Sequence, residues 1–552
     1  MRGLPGRRGP TAFGLALLLA VGACGGGSGG SAGSSGGPPT PPPPPPPPSP
    51  PLIQNLTNQP PSVGELAILL TDGSVLIQAN PTSGTLSSGP SGAGLFYRLV
   101  PAANGDYENG TWTQISSPPT GYEPFAGASA VLADGRVLFV GGEYNQNNYS
   151  LPFAPSGLTN MSAIYDPRTD SWKMIPPPPG EAYIGDVPSL ILPDGRFIYG
   201  TKLDTKMWAL DPTSLTWSQL TSTGKADDFA EEGLTMLPSG NILTIDLANT
   251  PHAEHYVPSL GQWVSDGVTP ASLTSPTDRP QGLTYGPAPV QTVGGVTYGP
   301  GPAGTYFPPG EIGPAILRPD GTVFASGSAA SGQAGHTAIY TPGAHVTDPG
   351  SWAAGPDFPG KDNAGDSSAA LLPDGNVLVA GDSGALYEFD GAKLSMTVNG
   401  PLSFGGAPAT FLLPLPSGQV LVLVEGTAVE LYSPTGTPNS AWAPTITAFP
   451  ATVTRGSTYG VSGTQFNGLS QAAAYGDELN SSTNFPLVRI TNRASGHVFY
   501  ARTHDHSTMA VATGAATVST NFDVPAMTET GASALVVIAN GIASTPVSVT
   551  VD

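Results

Sequence analysis

Residues Val131–Tyr144 read VLADGRVLFVGGEY, two short apolar runs joined by Asp134-Gly135 and followed by Gly141-Gly142. An Asp-Gly pair between alternating hydrophobic residues is typical of a tight β-hairpin, because glycine readily adopts the positive φ that such turns require. Related segments recur at Leu69–Ile77, Ile191–Tyr199, Met236–Thr244, Leu317–Ala325, Leu371–Val379 and Leu415–Leu423. The sequence therefore predicts a hairpin of the same kind in seven repeated units.

Each hairpin is followed by an aromatic strand and then, in most units, by a strand with tryptophan. These pairs are Tyr97 and Trp112, Tyr165 and Trp172, Leu210 and Trp217, Tyr256 and Trp263, Tyr340 and Trp352, and Tyr432 and Trp442, whereas the sixth unit, Leu386–Phe389, lacks the tryptophan. A four-stranded antiparallel sheet cannot bury its own faces, but sheets stacked radially can. The order resembles kelch repeats. We predict an all-β chain with a seven-bladed kelch-type β-propeller over residues 55–445, in which these aromatic residues pack blade against blade.

The bulk composition limits the partners. The chain has 40 acidic against 19 basic residues and a formal net charge of −21, so nucleic acid and anionic membranes would repel it. Cys24 is the single cysteine, which excludes intramolecular disulfides and thiolate zinc sites. We predict a monomer that binds no nucleic acid.

The N-terminal residues predict export. Basic residues precede a short apolar run, Ala12–Val21, and then Val21-Gly22-Ala23-Cys24, which resembles the lipobox of bacterial lipoproteins. We predict a lipoprotein signal peptide over residues 1–23, lipidation of Cys24, and a Gly/Ser/Pro-rich tether over 24–54. The expected location is the bacterial cell envelope, outside the cytoplasm, with the lipid anchor as the only contact with a membrane. The alternative is an ordinary signal with an incidental cysteine and a secreted protein.

Residues 446–552 again alternate apolar and polar side chains and predict a small immunoglobulin-like β-sandwich. With the propeller, this domain resembles the architecture of the galactose oxidase family, whose C-terminal domain is of the early-set kind. The resemblance includes Tyr475-Gly476, Asn484–Leu487 and Asn521–Pro525, and it extends over nearly the whole mature chain.

The resemblance implies a copper ion and a radical on a tyrosine cross-linked to cysteine, but the required residues do not match. Cys24 lies outside the fold, and Gly365-Asp366-Ser367 stands where the family has Tyr-His-Ser. Asn480 stands where a second copper histidine is expected after Tyr475-Gly476. We therefore expect no cofactor and no copper-radical oxidase.

Two histidine groups are weak metal candidates. His504 and His506 would share one face of an extended strand, although Arg502 on that face would repel a cation. His252, Glu254 and His255 form a similar loose group. The alternative for each group is a polar surface or an interface between domains.

The repeat also predicts a ring of acids. Counting back about eight residues from each hairpin turn reaches the start of the innermost strand, beside the central channel. Four of the seven places carry a carboxylate, Asp186, Glu231, Glu311 and Asp366, whereas the other three are Ala126, Gly64 and Ala409. Converging carboxylates could bind Ca²⁺ or a cationic or polyhydroxylated ligand. The alternative is a set of solvated rim residues.

Two long segments should emerge on the same face as this ring. They are 142–160, with Tyr144, Tyr149 and Phe153, and 264–310, with Tyr285, Tyr298, Tyr306 and Phe307. Long loops in compact folds are often functional, and aromatic rings beside carboxylates suit sugar binding. The alternative is that the rings hold their own loops in place.

These observations favour a non-catalytic, lipid-anchored protein that binds carbohydrate or another small ligand at the channel face. Two alternatives stay open at this point. One is a glycan-active enzyme that uses a pair of the ring carboxylates. The other is a structural interaction protein of the cell envelope.

Overall fold

The computed structural model describes residues 52–64, 66–79, 94–145, 158–277, 280–285, 287–288, 290–399, 410–424, 426–476, 479 and 481–552. The predicted signal peptide, Cys24 and nearly all of the predicted tether lie outside this range, as do Tyr149, Phe153, Ala409 and Asn480. The described residues belong to one compact unit. Among them, no helix is long and apolar enough to cross a membrane.

The fold is all-β, with two short 3-10 turns at Pro359–Lys361 and Ser440–Trp442. The strands up to the third blade are β1 (Ile53–Asn55), β2 (Ala67–Leu69), β3 (Val75–Gln78), β4 (Phe96–Val100), β5 (Thr111–Gln114), β6 (Pro124–Phe125), β7 (Ala128–Val131), β8 (Val137–Val140), β9 (Tyr144–Asn145), β10 (Ser162–Asp166), β11 (Ser171–Ile175), β12 (Ser189–Ile191), β13 (Phe197–Gly200), β14 (Met207–Asp211) and β15 (Thr216–Leu220).

The strands that complete the propeller are β16 (Thr235–Met236), β17 (Ile242–Ile245), β18 (His252–Val257), β19 (Gln262–Val268), β20 (Leu283–Tyr285), β21 (Gln291–Val293), β22 (Val296–Tyr298), β23 (Gly304–Tyr306), β24 (Ala315–Leu317), β25 (Val323–Ser326), β26 (Thr337–Thr341), β27 (Ser351–Ala354), β28 (Ser368–Leu371), β29 (Val377–Ala380), β30 (Leu386–Phe389), β31 (Leu394–Val398), β32 (Thr410–Pro414), β33 (Val420–Val424) and β34 (Ala428–Tyr432).

The strands of the C-terminal region are β35 (Thr445–Ala448), β36 (Thr452–Val453), β37 (Thr458–Thr464), β38 (Ala473–Tyr475), β39 (Leu487–Asn492), β40 (Val498–His504), β41 (Val518–Asp523), β42 (Gly531–Ala539), β43 (Ile542–Ala543) and β44 (Val547–Val551).

Seven sheets form the blades of a propeller, as the sequence predicts. The first six are β2–β5, β7-β8-β10-β11, β12–β15, β16–β19, β24–β27 and β28–β31. The first strands of neighbouring blades contact one another, as β24 does with β28, β28 with β32, and β32 with β2, so these strands line the central channel.

The seventh blade corrects the sequence prediction. Its strands run β32-β33-β34-β1, so the outermost strand is Ile53–Asn55, of which Ile53 and Gln54 fall in the segment predicted to be tether. Trp442, predicted to mark that strand, lies instead in the 3-10 turn Ser440–Trp442. The ring is therefore closed by pairing the two ends of the propeller segment, which seals the edge that β34 would otherwise expose.

The repeated hairpin has a simple local cause. In the second blade Gly135 adopts φ 82° and donates its N–H to the Leu132 carbonyl at 2.8 Å. The Asp134 carboxylate accepts the Arg136 N–H at 3.0 Å, which closes the turn. Tyr165 and Trp172 pack within one blade, with ring centroids 5.0 Å apart, and Trp172 also lies 5.2 Å from Phe96 of the first blade, which is a contact between blades.

The C-terminal strands β35–β37 and β39–β44 surround a separate apolar core that includes Val488, Phe522 and Val537. Its immunoglobulin-like classification stays a prediction. One strand of this region, β38, leaves the others and pairs antiparallel with β28, the innermost strand of the sixth blade. The C-terminal region therefore reaches into the propeller channel.

The hairpin turns of the propeller face the C-terminal region. The Thr503 N–H donates to the Thr71 carbonyl at 3.0 Å in the first blade, and the Met509 N–H donates to the Pro193 carbonyl at 3.0 Å in the third. Arg502 donates a hydrogen bond to the Asp134 carbonyl in the second. The opposite ends of the inner strands therefore lie away from this interface.

Candidate functional site

The inner strands begin at the end of the channel opposite the hairpin turns. Just before them, Ala126, Glu231 and Asp366 all adopt the left-handed conformation, with φ of 49°, 54° and 52°. This conformation costs an L-residue about 1–2 kcal/mol, and such strain often marks functional sites. The same sharp bend therefore leads into the inner strands of the second, fourth and sixth blades.

Glycine takes this place in the third and fifth blades. Gly185 (φ 77°) precedes Asp186, and Gly310 (φ 129°) precedes Glu311. Asp186, Glu231, Glu311 and Asp366 thus precede the inner strands of four consecutive blades. The count back from the hairpin turns locates these residues, and their role as a site stays a prediction.

A buried lysine that sequence reasoning missed joins two of these carboxylates. Lys202, 1% exposed, donates to Asp186 and, at 2.5 Å, to Glu231. Its ammonium lies 5.2 Å from the centre of the Tyr306 ring, whose hydroxyl is 3.4 Å from the Glu231 carboxylate. Burial lowers the pKa of Lys202, but the charges of Asp186 and Glu231 more than offset this and raise it well above its usual value.

A fifth carboxylate, Glu143, also lies in this group and was not predicted. It follows Gly141-Gly142 in the stretch that reveals the repeat, and its N–H donates to the Ala126 carbonyl at 2.7 Å. Burial raises the pKa of Glu143 to about 7, with a further rise from the charge of Glu231 and an opposing effect of Lys202. We call Glu143, Asp186, Glu231, Glu311 and Asp366 the channel-face carboxylates.

Burial, with repulsion between neighbouring carboxylates as a further cause, raises the pKa values of three other acids in the group. Burial raises the pKa of Asp366 to about 6, and the charge of Glu231 adds to the rise. Burial, followed by the charges of Glu231 and Asp366, raises the pKa of Glu311 well above its usual range. Burial likewise raises the pKa of Asp186, against the opposing effect of Lys202. The five carboxyl groups therefore share one lysine, and the raised pKa values of four of them reduce the negative charge that they carry near neutral pH.

Tyr475 reaches the carboxylates from the C-terminal region. Strand β38 places it opposite Ser368, and its hydroxyl forms a hydrogen bond with Asp366. Gly476 fits here because a Cβ would lie 2.7 Å from the Ile312 carbonyl oxygen and 3.3 Å from the Asp366 Cα. The Tyr-Gly pair is thus a close-packed contact between the C-terminal region and the channel.

The predicted aromatic residues differ in what they contact and in how exposed they are. Tyr306 packs with Leu158 and Ala230, and the partly buried Tyr285 packs against this cluster, 4.9 Å from the Tyr183 ring. Phe307, next to Tyr306, is 63% exposed.

Tyr144 packs against Phe125 and Ala126 and forms a hydrogen bond with Glu143. Tyr298 does not offer a ligand surface, because it is 1% exposed and its hydroxyl donates to the Ile175 carbonyl at 2.9 Å. Its role is to hold its own loop against the second blade.

A second acidic cluster lies directly behind the first. Asp227, Glu232 and Asp246 bring three ligand atoms within 4.8 Å of one another, a spacing that suits a metal ion. However, the ammonium of Lys225 already occupies this place, 2.6 Å from Asp227, 3.2 Å from Glu232 and 3.7 Å from Asp246. The cluster therefore carries its own cation.

Among the described residues, no histidine belongs to a group of three or more possible metal ligands. Strand β40 ends at His504, and Asp505 adopts φ 51°, so the alternation assumed for His504 and His506 breaks between them. His504 contacts Asp505 and Asp523 at 2.7 and 3.1 Å. His506 stacks on Phe485, and burial lowers its pKa to about 3.

The other histidine group is dispersed in the same way. His252 contacts Asp246 at 2.5 Å, whereas His255 points to the opposite face of β18 and contacts Asp266 at 2.9 Å. Glu254 instead contacts Lys225 at 3.0 Å.

No family model matches the chain. The chain is 29% identical over 92 residues to the Kelch-like protein terF of Aspergillus terreus (strain NIH 2624 / FGSC A1156), a match that spans 16% of this chain and 18% of that relative. Among solved structures, a fungal alcohol oxidase of the AA5 family in complex with copper shares 14% identity with a TM-score of 0.48, over 90% of this chain and 98% of that chain. YCF48 from Cyanidioschyzon merolae shares 11% identity with a TM-score of 0.39, over 70% of this chain and 99% of that chain.

These similarities carry no chemistry over to this chain. The chain is a seven-bladed β-propeller, part of which is similar in sequence to a Kelch-like protein.

Proposed function

We propose that this chain is a non-catalytic binding protein whose propeller takes a polyhydroxylated or cationic ligand, with carbohydrate as the first candidate, at the channel face. The observation that supports this most is that the carboxylates of Glu143, Asp186 and Glu231 lie around one lysine. Glu311 and Asp366 lie close enough to shift the pKa values of carboxyls in this group. Carboxylates that lie together at the mouth of a channel attract cations and accept hydrogen bonds from hydroxyl groups.

The aromatic residues beside the carboxylates support an organic ligand. Tyr306 borders Glu231 and Lys202, and the exposed Phe307 follows it in the chain. A flat ring can stack on the apolar face of a sugar while carboxylates accept its hydroxyls. Ca²⁺ alone is a weaker candidate, because the one set of three acids with ligand atoms within 4.8 Å among the described residues surrounds Lys225.

The binding site can be tested with the double variant E231Q/D366N, which keeps the shape of both side chains and removes two charges. On a glycan array, we expect the wild-type chain to bind and the variant to lose binding. The matched control is D194N, because Asp194 lies in a hairpin turn at the far end of an inner strand and its side chain is 53% exposed. Undiminished binding by the double variant would rule out the channel face.

A glycan-active enzyme is the second candidate, and one observation favours it. Glu143 and Asp366 have pKa values raised to about 7 and about 6, which suits proton transfer near neutral pH. Reducing-end release from a polysaccharide, lost in E143Q and retained in D194N, would establish turnover. Absence of both binding and turnover would favour a structural interaction protein of the cell envelope.

We also propose that the channel carries no copper-radical centre. The one cysteine, Cys24, precedes the propeller in sequence, and Asp366 stands beside Tyr475 where the galactose oxidase family would place copper ligands. Purified protein loaded with copper should retain less than one equivalent after dialysis and produce no peroxide from galactose. Stoichiometric copper with peroxide production would overturn this proposal.

The proposed location is the bacterial cell envelope, with a lipid on Cys24 as the membrane anchor, or otherwise secretion. The support is the order of the first residues, in which basic residues precede an apolar run and Ala23-Cys24 follows it. Metabolic labelling with a radioactive fatty acid should mark the wild-type chain and not C24S. Equal labelling of C24S would refute the anchor.

A further inference from the structure

We propose that the ligand of the channel face carries an organic ammonium group, which binds against Glu143, Glu311 and Asp366. This inference rests on the proposed function and deepens it, because it selects one chemical class from the ligands that the channel face could take.

The first argument is the distribution of ion pairs. Lys202 lies between Asp186 and Glu231 and forms ion pairs with both carboxylates. Among the described residues, no lysine, arginine or histidine lies within 4.0 Å of the carboxylates of Glu143, Glu311 or Asp366. Three partly buried acids therefore lack a direct counter-charge, and charges removed from water are normally paired.

The second argument is an unsatisfied atom. Asp186 is 5% exposed, and its Oδ1 has no hydrogen-bond partner although Oδ2 contacts Lys202. Buried polar atoms without a partner are uncommon and call for an explanation such as a missing ligand. An ammonium group has three donors, so it can donate to Oδ1 as well as to acids that have no cationic partner.

The third argument comes from the neighbouring cluster, which shows the same arrangement filled. Lys225 is surrounded by Asp227, Glu232, Asp246 and Glu254, and its ammonium lies 4.8 Å from the centre of the Phe229 ring and 5.5 Å from that of Trp263. Adjacent residues belong to the two clusters, Glu231 to the channel face and Glu232 to the Lys225 site. The chain thus neutralises one acidic cage with an ammonium beside aromatic rings and leaves the other with a deficit.

The aromatic wall distinguishes an organic cation from a metal ion. The Lys202 ammonium already lies 5.2 Å from the Tyr306 ring, a geometry in which a ring attracts an alkyl ammonium. A metal ion gains nothing comparable from a tyrosine ring and needs several oxygen atoms close together. The described channel-face carboxylates contribute no set of three ligand atoms within 4.8 Å.

Binding of a cation should compete with protons. The pKa of Glu143 is raised to about 7 and that of Asp366 to about 6, so both hold protons in mildly acidic solution. The groups that face them are the carboxyls of Asp186, Glu231 and Glu311, the Lys202 ammonium and the hydroxyls of Tyr144, Tyr306 and Tyr475. The lysine and the tyrosines keep their charge state between pH 5 and 8, so the carboxyls set the pH dependence.

The experiment is calorimetric titration of the purified chain with 1,4-diaminobutane at pH 7.5 and pH 5.0. We expect binding at pH 7.5, an affinity about tenfold or more weaker at pH 5.0, and proton release that appears when two buffers of different ionisation enthalpy are compared. The variants E143Q/D366N and, separately, E311Q should lose binding, and D194N should keep it.

Parallel titrations with CaCl₂ and a glycan array separate the outcomes. If a glycan binds at the channel face and the diamine does not, the ammonium inference is wrong and the proposed function stands. If neither binds, both are wrong. Diamine binding that persists in E143Q/D366N, or that CaCl₂ abolishes at equal concentration, would also overturn the ammonium inference.

Discussion

Glu231 and Asp366 both adopt the left-handed conformation, which glutamate rarely adopts and aspartate adopts more readily. Gly185, with φ 77°, shows that glycine can make a similar bend at the start of an inner strand in this chain. The strained acids therefore carry a conformational cost that glycine would avoid, and in return they place carboxylates at the channel mouth. Ala126 adopts the same conformation at the equivalent place without a carboxylate, so the bend belongs to the repeat and does not by itself mark a site.

Lys202 is the residue on which the stability of the channel face depends. Replacing Lys202 with methionine leaves Asp186 and Glu231 buried without a cation, so we expect a loss of about 3–5 kcal/mol in the free energy of unfolding. Urea denaturation at pH 7.5 measures this loss. The matched control is K206M, because the Lys206 side chain, which pairs with Asp204, is 43% exposed. This substitution should lower the free energy of unfolding by under about 1 kcal/mol. Equal losses in both variants would contradict the assignment.

Glu143 should make the stability depend on pH with an unusual sign. Its folded pKa, about 7, lies above the ordinary value of 4.5, so the folded state binds the proton more tightly than the unfolded state. This contribution is fully present below about pH 4.5 and is lost as the pH rises through about 7. The variant E143Q should therefore gain stability relative to the wild type as the pH rises from 5 to 8.

Urea melts of both proteins at pH 5, 6.5 and 8 measure this difference. His506 acts in the opposite direction, because its folded pKa of about 3 makes protonation unfavourable for the fold. That effect is common to the two proteins and cancels in their difference. A difference that stays constant with pH would show that Glu143 is not perturbed.

At the level of elements, ring closure depends on a strand from the start of the propeller. Strand β1 pairs Ile53 with Tyr432 and Asn55 with Glu430, and the Leu56 N–H donates to the Val429 carbonyl at 3.1 Å. Leu56 is 3% exposed, so this segment contributes apolar burial as well as strand pairing. The two ends of the propeller therefore stabilise each other.

A chain that begins at residue 57 should lose this closure. We expect a loss of at least about 3 kcal/mol, from the burial of Leu56 and Ile53 alone, and faster hydrogen exchange along β34. The comparison is with a chain that begins at residue 50 and keeps β1. Unchanged exchange in β34 would show that the seventh blade does not need its outermost strand.

At the level of the whole molecule, the hairpin turns serve as a docking surface for the C-terminal region. A Cβ at Gly73 would lie 2.6 Å from the Tyr500 ring, whereas a Cβ at Gly321, in the same turn of the fifth blade, would meet nothing within 4 Å. Both glycines have similar φ, 74° and 86°. The pair therefore separates the strain of the turn from the cost of displacing the docked region.

The variant G321A should lower the free energy of unfolding by about 1–2 kcal/mol, because alanine is strained at this positive φ. The variant G73A should lose more stability, because the Tyr500 ring must move as well. Its thermal midpoint should lie clearly below that of G321A. Differential scanning calorimetry of the two variants checks this order. Coincident midpoints would indicate that the C-terminal region is not held by this contact.

Much of this molecule follows from local rules in its sequence. The Asp-Gly turns and the tyrosine and tryptophan pairs repeat, and short-range hydrogen bonding at Asp134 and Gly135 is enough to form each hairpin. The number of blades and the places of Asp186, Glu231, Glu311 and Asp366 follow from that repeat, because a fixed count along a strand gives a fixed position relative to its turn.

The tertiary structure decided the features that depend on long-range contacts. Lys202 joins Asp186 and Glu231 across two blades, β1 pairs with β34 across the whole propeller, and Tyr475 reaches Asp366 from the C-terminal region. The break at Asp505 separated His504 from His506, which strand alternation had placed together. No local pattern encodes such pairings, because they depend on which distant segments the closed ring brings together. The repeat and its geometry follow from the order of residues along the chain, whereas the closed ring sets which charges meet.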